Sequence, residues 1–244
     1  MVEPYYRPDL ALVHHRGFSG HADTCAPGIL ALLEQVRGGV VLELGCGSGA
    51  LTRHLVSAGH RVIATDASPA MVALVAQQVP DADARRLVLP YDQLPEADAV
   101  VSVGHVLSYL ADEAAIEAAL VACARALLPG GVLAVDLADR SWITGRTDLP
   151  NTVGRSGEDW AVLSELSSPA PNALVRTITT FVRNDDGTWR RDDERHHNTL
   201  IDTSRVPALL AAHGVEAAVR AGFGDEVLTP SPGLVAIVGR RISH

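Results

Sequence analysis

The sequence predicts an α/β protein, a doubly wound and mostly parallel sheet carrying an antiparallel β insertion. Short apolar runs alternate with segments of helical spacing as far as residue 137. A glycine turn closes the first apolar run, and residues 142–200 change to alternating or β-branched patterns. Strands that alternate with helices imply a parallel sheet, whereas consecutive strands with turn signals imply a meander.

The elements follow in order. After an irregular start, residues 28–36 have helical apolar spacing, and Gly38-Gly39 ends them before a strand that begins at Val40. Helix 50–58, strand 61–65, helix 69–78, strand 85–89, strand 97–103, helix 113–127 and strand 132–137 come next. Three strands are expected in the insertion, at 158–166, 174–182 and 189–199, with Asn184-Asp185-Asp186-Gly187 turning between the last two. Residues 203–213 return to helix, and 215–221 and 234–240 supply two closing strands.

The first strand and its turn read Val40-Val41-Leu42-Glu43-Leu44-Gly45-Cys46-Gly47-Ser48-Gly49, and the second strand ends at Asp66. Glycines after a short strand let backbone N–H groups approach a ligand closely, and an acid closing the next strand can grip a ribose diol. The implied ligand is a nucleoside. Gly45, Gly47 and Ala50 formally match the dinucleotide fingerprint. Glu43 two residues before the first glycine, the third glycine at Gly49, and Leu128-Pro129-Gly130-Gly131 before a later strand make a more specific set.

That set resembles the class I, Rossmann-like S-adenosylmethionine (SAM)-dependent methyltransferases, strongly from Val40 to Gly131 and loosely through the insertion to Arg241. The resemblance implies a seven-stranded sheet whose final strand is antiparallel, with the β insertion roofing the active site. It implies one domain over residues 1–244, a helical lid segment over 1–38 and the meander over 142–200. The glycine turn, with Glu43, Gly45, Cys46, Gly47 and Gly49, then lies under the methionine part of SAM, and Asp66 takes the ribose hydroxyls. Asp66-Ala67-Ser68-Pro69-Ala70-Met71 matches the family pattern, with Ala67 and Met71 expected beside the nucleoside. In the loop after the third strand Leu89 and Pro90 form apolar walls for adenine, without the aspartate many relatives place there. Gly104 and His105 follow the fourth strand, where the family places residues near the sulfonium.

Composition bounds the partners. The 244 residues carry a net charge of −9, so a nucleic-acid backbone is not expected as partner. Mean hydropathy is +0.15, yet no apolar stretch reaches the roughly 18 residues of a membrane span. The first residues lack a basic start followed by an apolar run, so the cytoplasm is the expected location. All 20 basic residues are arginine, which excludes a lysine Schiff base and a Walker A lysine. Cys25, Cys46 and Cys123 lack metal-ligand or disulfide spacing, and Cys46 reads as a small side chain beside a ligand.

Several side chains remain as candidates. His105 is the leading candidate for a base, because an ordinary imidazole titrates near neutral pH; its alternative is a histidine that packs or binds the cofactor. Tyr6, His14 and Phe18 lie in the expected lid, and Tyr109 one helical turn beyond His105 is a pocket wall. His196 and His197 are strand neighbours that point to opposite faces and cannot chelate one ion, so no metal is expected. Glu194, His196 and Asn198 share one face, either a solvated charged strand, the plainer reading, or a substrate contact through His196. Asp136 and Asp139 flank the carboxyl end of the fifth strand, and Asp139 is assigned either to substrate or to a turn.

These readings converge on methyl transfer from SAM to an O, N or C nucleophile of a small-molecule acceptor, a specialised metabolite among them, by a monomer or homodimer. Two alternatives stand beside it: a SAM-binding protein with a non-methylating or regulatory role, and an NAD-dependent oxidoreductase. The oxidoreductase leaves Leu128-Pro129-Gly130-Gly131 unexplained and lacks a catalytic lysine.

Overall fold

The computed structural model describes residues 5–144, 149, 151–224 and 233–243. The chain opens with two helices, α1 (Pro8–Gly17) and α2 (Gly20–Leu33), and then alternates β1 (Val40–Leu44), α3 (Ala50–Ser57), β2 (Arg61–Asp66), α4 (Pro69–Gln78) and β3 (Asp83–Arg86). It continues through β4 (Ala97–Ser102), α5 (Glu113–Ala126) and β5 (Leu127–Ala138) to four strands, β6 (Asn151–Ser156), β7 (Trp160–Ala170), β8 (Ala173–Arg183) and β9 (Trp189–Thr199). Helix α6 (Val206–Ala211) and strands β10 (Val215–Arg220) and β11 (Leu234–Arg241) close the fold.

The main sheet has seven strands in the order β10-β11-β5-β4-β1-β2-β3. Strand β11 runs antiparallel to both of its neighbours, and the inner pairs β5-β4, β4-β1, β1-β2 and β2-β3 are parallel. The expected sheet and its antiparallel final strand are therefore present, as is the antiparallel β insertion, which pairs in the order β6-β7-β8-β9.

Burial on both faces explains the apolar runs. Along β1, Val41 packs with Ile29, Leu33, Leu51 and Leu55 from the helices on one side. Leu42 and Leu44 pack with Ile116, Leu120 and Leu210 on the other. Successive strand side chains point to opposite faces, so a strand covered twice needs a continuous apolar run. Helix starts are fixed locally. Ser68 Oγ accepts from Met71 N ahead of Pro69 at the start of α4, and the Asp112 carboxylate accepts from Ala115 N at the start of α5.

The structure corrects four boundaries. The first helix is not preceded by an irregular start, because α1 begins on Pro8 and α2 runs through Pro27 and Gly28, residues that read as breakers. The third strand is Asp83–Arg86 rather than 85–89: it pairs only with β2, and an edge strand with exposed Asp83, Arg85 and Arg86 needs no apolar run. Strand β6 has no residue buried, so no apolar pattern announced it. The helix expected at 203–213 shortens to a 3-10 turn, Thr203–Arg205, followed by α6.

Leu42 sits at the centre of the sheet with none of its surface exposed. Leu42→Ala is expected to cost about 2–5 kcal/mol, read as a lowered urea midpoint with an unchanged slope.

Candidate functional site

The carboxyl ends of β1, β2, β4 and β5 meet at one edge of the sheet, where ligands bind in open parallel sheets. Two surface clefts lie elsewhere, one along Val132, Glu216 and Arg240 and one along Val40 and Arg61, toward the opposite edge of the sheet, where β1 and β2 begin and the antiparallel β11 ends.

The glycine turn after β1 is required by its conformation. Gly45 and Gly47 have φ of +65° and +54°, and a Cβ at Gly45 would lie 2.3 Å from Val106 Cγ2. The turn is tied to β2 at two points. Cys46 N donates to Thr65 O at 2.9 Å, and Gly47 N donates to Asp66 Oδ2 at 3.0 Å. Asp66 Oδ1 also accepts from Ser68 N at 2.8 Å, so the acid and the turn are brought together as the sequence predicts. Burial pushes the Asp66 carboxyl up, against the lowering effect of these N–H groups.

Glu43 is nearly fully buried beneath the turn, and Thr52 Oγ1 donates to its Oε2 at 2.7 Å. Burial pushes its carboxyl up to about 8, so the side chain is mostly protonated at neutral pH. Burial also pushes the Cys46 thiol well up, which leaves a neutral, unreactive sulfur.

After β4 the chain turns through Gly104 at φ +98° and His105 at φ +47°. Their N–H groups donate to Asp136 Oδ2 and Oδ1 at 2.8 and 2.7 Å, and Asp136 is wholly buried at the end of β5. His21 Nε2 on α2 lies 3.3 Å from the same carboxylate. Asp136 is thus the acid inside the site. Asp139 is a turn cap: Ser141 N donates to one oxygen, and Thr203 N and Oγ1 donate to the other. Its carboxylate is occupied by structure, the second of the two assignments the sequence left open.

His105 packs between Tyr109, near-parallel with ring centroids 6.0 Å apart, and Trp142 at 5.4 Å. Burial, followed by the positive charge of Arg176, pushes it down to about 4 rather than the near-neutral value the sequence implied. At neutral pH the ring is an uncharged acceptor and a weak base.

The insertion and the N-terminal segment close over this edge. Glu194 is buried; its two oxygens accept from Tyr6 N and Arg7 N, each at 2.8 Å, and Oε2 lies 2.9 Å from His196 Nε2. His196 Nδ1 is 3.3 Å from the Tyr109 hydroxyl, itself 3.3 Å from the Tyr6 hydroxyl. Ser68 Oγ donates to Tyr6 O at 2.7 Å, joining this cover to the Asp66 loop. The plainer reading of β9 as a solvated charged strand fails here. Glu194, His196 and Asn198 are buried, the first two beneath the N-terminal segment, while Arg195 and His197 face outward.

His14 on α1 lies above the glycine turn, its Cε1 3.9 Å from the position a Cβ would take on Gly47. It stands edge-on to Tyr6 and stacks on Phe18. Burial pushes its imidazole down to about 4, and its buried Nδ1 has no hydrogen-bond partner among the described residues. Phe18 is a rim residue with the Arg155 guanidinium 5.1 Å from its ring centre. Met71 is buried under the Asp66 loop and Ala67 is exposed. Leu89 is half-buried and Pro90 exposed, and Asp92 spends a carboxylate oxygen on Val88 N within its own loop. No cluster of three His, Cys, Asp or Glu arranged for a metal occurs among the described residues.

Sequence reasoning passed over Arg176 and gave Tyr5 and Glu194 no individual role. Tyr5 lies tilted against His196, Glu194 joins the insertion to the N-terminal segment, and Arg176 acts electrostatically on Tyr6, His14 and His105. The strand alternation of β9 held the signal for Glu194; none in the sequence marked Arg176.

The state of Glu43 has a pH signature. A carboxyl raised from 4.5 to about 8 keeps its proton in the folded chain and loses it in the unfolded one. Its contribution to stability is full below the unfolded value and is lost as pH rises through the folded value. Melting curves of the ligand-free protein and of Glu43→Gln, compared across that window, should show a wild-type decline that the variant lacks; parallel curves would place a charged Glu43 in the core.

Residues 41–131 match the family model described as a methyltransferase domain. A protein from Geobacillus sp. (strain WCH70), assigned as a methyltransferase by inference, is 24% identical over 207 residues, 82% of this chain and 84% of its own length. Among solved structures, a SAM-dependent methyltransferase from Clostridium acetobutylicum superposes with a TM-score of 0.77 at 14% identity, covering 96% of this chain and 98% of that one. The sugar N-methyltransferase KedS8 from Streptoalloteichus sp. gives 0.76 at 24% identity, covering 100% and 97%. SAM-bound CalS10, an amino pentose methyltransferase from Micromonospora echinaspora, gives 0.72 at 22% identity and 99% of each chain. The structural likenesses speak for the fold, and the domain match, falling on the glycine turn and Asp66, sets aside the oxidoreductase alternative. Residues 41–131 thus form a methyltransferase domain, and the chain as a whole has the class I, Rossmann-like methyltransferase fold.

Proposed function

We propose that this enzyme methylates an O, N or C nucleophile of a small-molecule acceptor held between the glycine turn and the β roof. The observation that carries the proposal is the enclosure. The Glu194 carboxylate draws the backbone of Tyr6 and Arg7 onto β9, so the N-terminal segment covers the strand ends. A covered pocket of this kind suits a compact acceptor. The sugar N-methyltransferase and amino pentose methyltransferase among the similar structures support this reading.

The residues present fit the cofactor. The turn over Gly45, Cys46, Gly47 and Gly49, left-handed at its three glycines, leaves most of its backbone free of side chains, with His14 Nδ1, unpartnered among the described residues, above it. In this proposal that turn and Glu43 hold the methionine part of SAM, and Asp66 the ribose hydroxyls. Ala67, Met71, Leu89 and Pro90 border adenine, and Gly104 and His105 lie by the sulfonium. When bound, SAM supplies an electrophilic methyl carbon for an in-line displacement.

Tyr6, His14, Phe18, Tyr109 and His196 are the proposed acceptor contacts. Their work is positioning and exclusion of water, which lowers the entropic cost of aligning nucleophile and methyl carbon. His105, uncharged at neutral pH, accepts a hydrogen bond from the nucleophile. A second proton route has its own support: the Tyr109 hydroxyl, His196 and Glu194 form a connected chain from the pocket into the roof. In that chain a proton reaching Tyr109 passes to His196 Nδ1, with the Glu194 carboxylate beside the resulting charge.

Calorimetry with SAM and S-adenosylhomocysteine is the direct test. Asp66→Ala should abolish micromolar binding of both, and retention of wild-type affinity would remove Asp66 from the cofactor site. With an acceptor found by screening, His105→Ala should keep cofactor affinity and lower turnover at least about tenfold, the low end for a positioned proton acceptor. Unchanged turnover would leave the Tyr109–His196 route as the path for the proton.

A further inference from the structure

We propose that Arg176 anchors an anionic group of the acceptor, so that the substrate of this enzyme carries a compact oxyanion, a carboxylate or a phosphate, beside the atom that is methylated. This rests on the small-molecule reading of the site and narrows its substrate class.

Arg176 lies on β8 opposite His196 of β9, and paired residues of neighbouring strands share a face. That face is the one turned toward the lid. Leu174, Ile178, Thr180 and Val182 on the same side of β8 are all buried. A guanidinium therefore interrupts a buried, mostly apolar stripe, next to a histidine in contact with Tyr5, Tyr6 and Tyr109. Its charge is felt at three pocket residues, lowering His14 and His105 and opposing the rise of Tyr6.

Arg176 has no partner among the described residues. Three arginines among the described residues are partly buried rather than exposed. Arg7 pairs with Asp192, and Arg241 donates to the carbonyls of Ala124, Arg125 and Leu127. Arg176 makes no hydrogen bond or ion pair among the described residues. The acids of the neighbouring strand are already engaged: Asp192 with Arg7, Asp193 with Arg191 and Thr179, and Glu194 with the N-terminal backbone and His196. A half-buried cation on an apolar face carries a desolvation cost that an internal partner would offset. Here the partner comes from outside, and the planar fork of guanidinium N–H groups fits the two oxygens of a carboxylate or phosphate.

The anion belongs on the acceptor rather than on the cofactor. The neighbours of Arg176 across the sheet are His196 and its tyrosines, whereas the glycine turn proposed for the methionine part lies under His14.

The test uses full-length protein saturated with S-adenosylhomocysteine, titrated with inorganic phosphate and, separately, with acetate, and followed by backbone amide NMR shifts. One of the two anions should bind saturably in the millimolar range, and which one does so tells phosphate from carboxylate. Arg176→Gln should weaken that binding at least about tenfold, the equivalent of 1.4 kcal/mol. Arg176→Lys should retain part of it, and Arg195→Gln, on the outward face of β9, should bind as wild type. Equal binding by Arg176→Gln, or saturable binding of neither anion by the wild type, overturns the proposal.

Two further readouts guard against misreading. Arg176→Leu extends the apolar stripe and should melt at or above the wild-type temperature without ligand; a marked fall would mean that Arg176 has structural partners and overturns its role as an unspent cation. If Arg176→Gln weakens S-adenosylhomocysteine about tenfold but spares 5′-methylthioadenosine, which has no carboxylate, the anion is the cofactor's own and the acceptor assignment falls. The S-adenosylhomocysteine titration of the wild type reads the methyltransferase site by itself, so its failure is distinct from failure of the anion arm.

Discussion

The buried carboxylate of Glu194 is the interaction on which the site's enclosure depends. It accepts from two consecutive backbone N–H groups of the N-terminal segment and lies against His196, so one side chain of the insertion fixes the path of the chain over the strand ends. Hydrogen bonds to an ionised acceptor are the stronger kind, and burial raises what is lost if one is broken. From that anchor α1 runs on to set His14 over Gly47, and Ser68 completes the closure from the sheet side through Tyr6 O. Lid, roof and sheet edge are in this sense one construction, although each comes from a different stretch of the chain.

Inside the enclosure burial has removed charge wherever chemistry allows. Glu43 keeps its proton, His14 and His105 lose theirs, and Cys46 stays a thiol. Asp66 and Asp136 each accept two backbone N–H groups at a strand end. Arginine cannot shed its proton at working pH, so Arg176 holds its charge in the same surroundings. The contrast between neutralised groups and this one persistent cation gives the site its polarity, and it sets the chemistry that an acceptor must complement.

The two halves of the site differ in how they are built. The glycine turn and Asp66 belong to neighbouring parallel strands of the central sheet, with Gly47 and Asp66 19 residues apart. The side proposed for the acceptor gathers Tyr6, Tyr109, Arg176 and His196, far apart in the chain and joined through two different sheets. A sheet built this way can be shared among methyltransferases of low identity.

The sequence by itself determined the central sheet, its antiparallel final strand through family resemblance, and the pairing of the glycine turn with Asp66. These rest on near-neighbour patterns: continuous apolar runs forced by two-sided burial, and a strand, turn and acid in close succession. Elements without such a pattern were hidden. The exposed strand β6 buries nothing, and α2 passes through a proline and a glycine that locally signal a break. Only the tertiary structure showed Asp139 capping a turn, turned the Glu194 and His196 face inward, lowered His105 and left Arg176 without a partner among the described residues. Each of those outcomes depends on what packs against a side chain from far along the chain, and burial of that kind is a property of the assembled fold rather than of any window of residues.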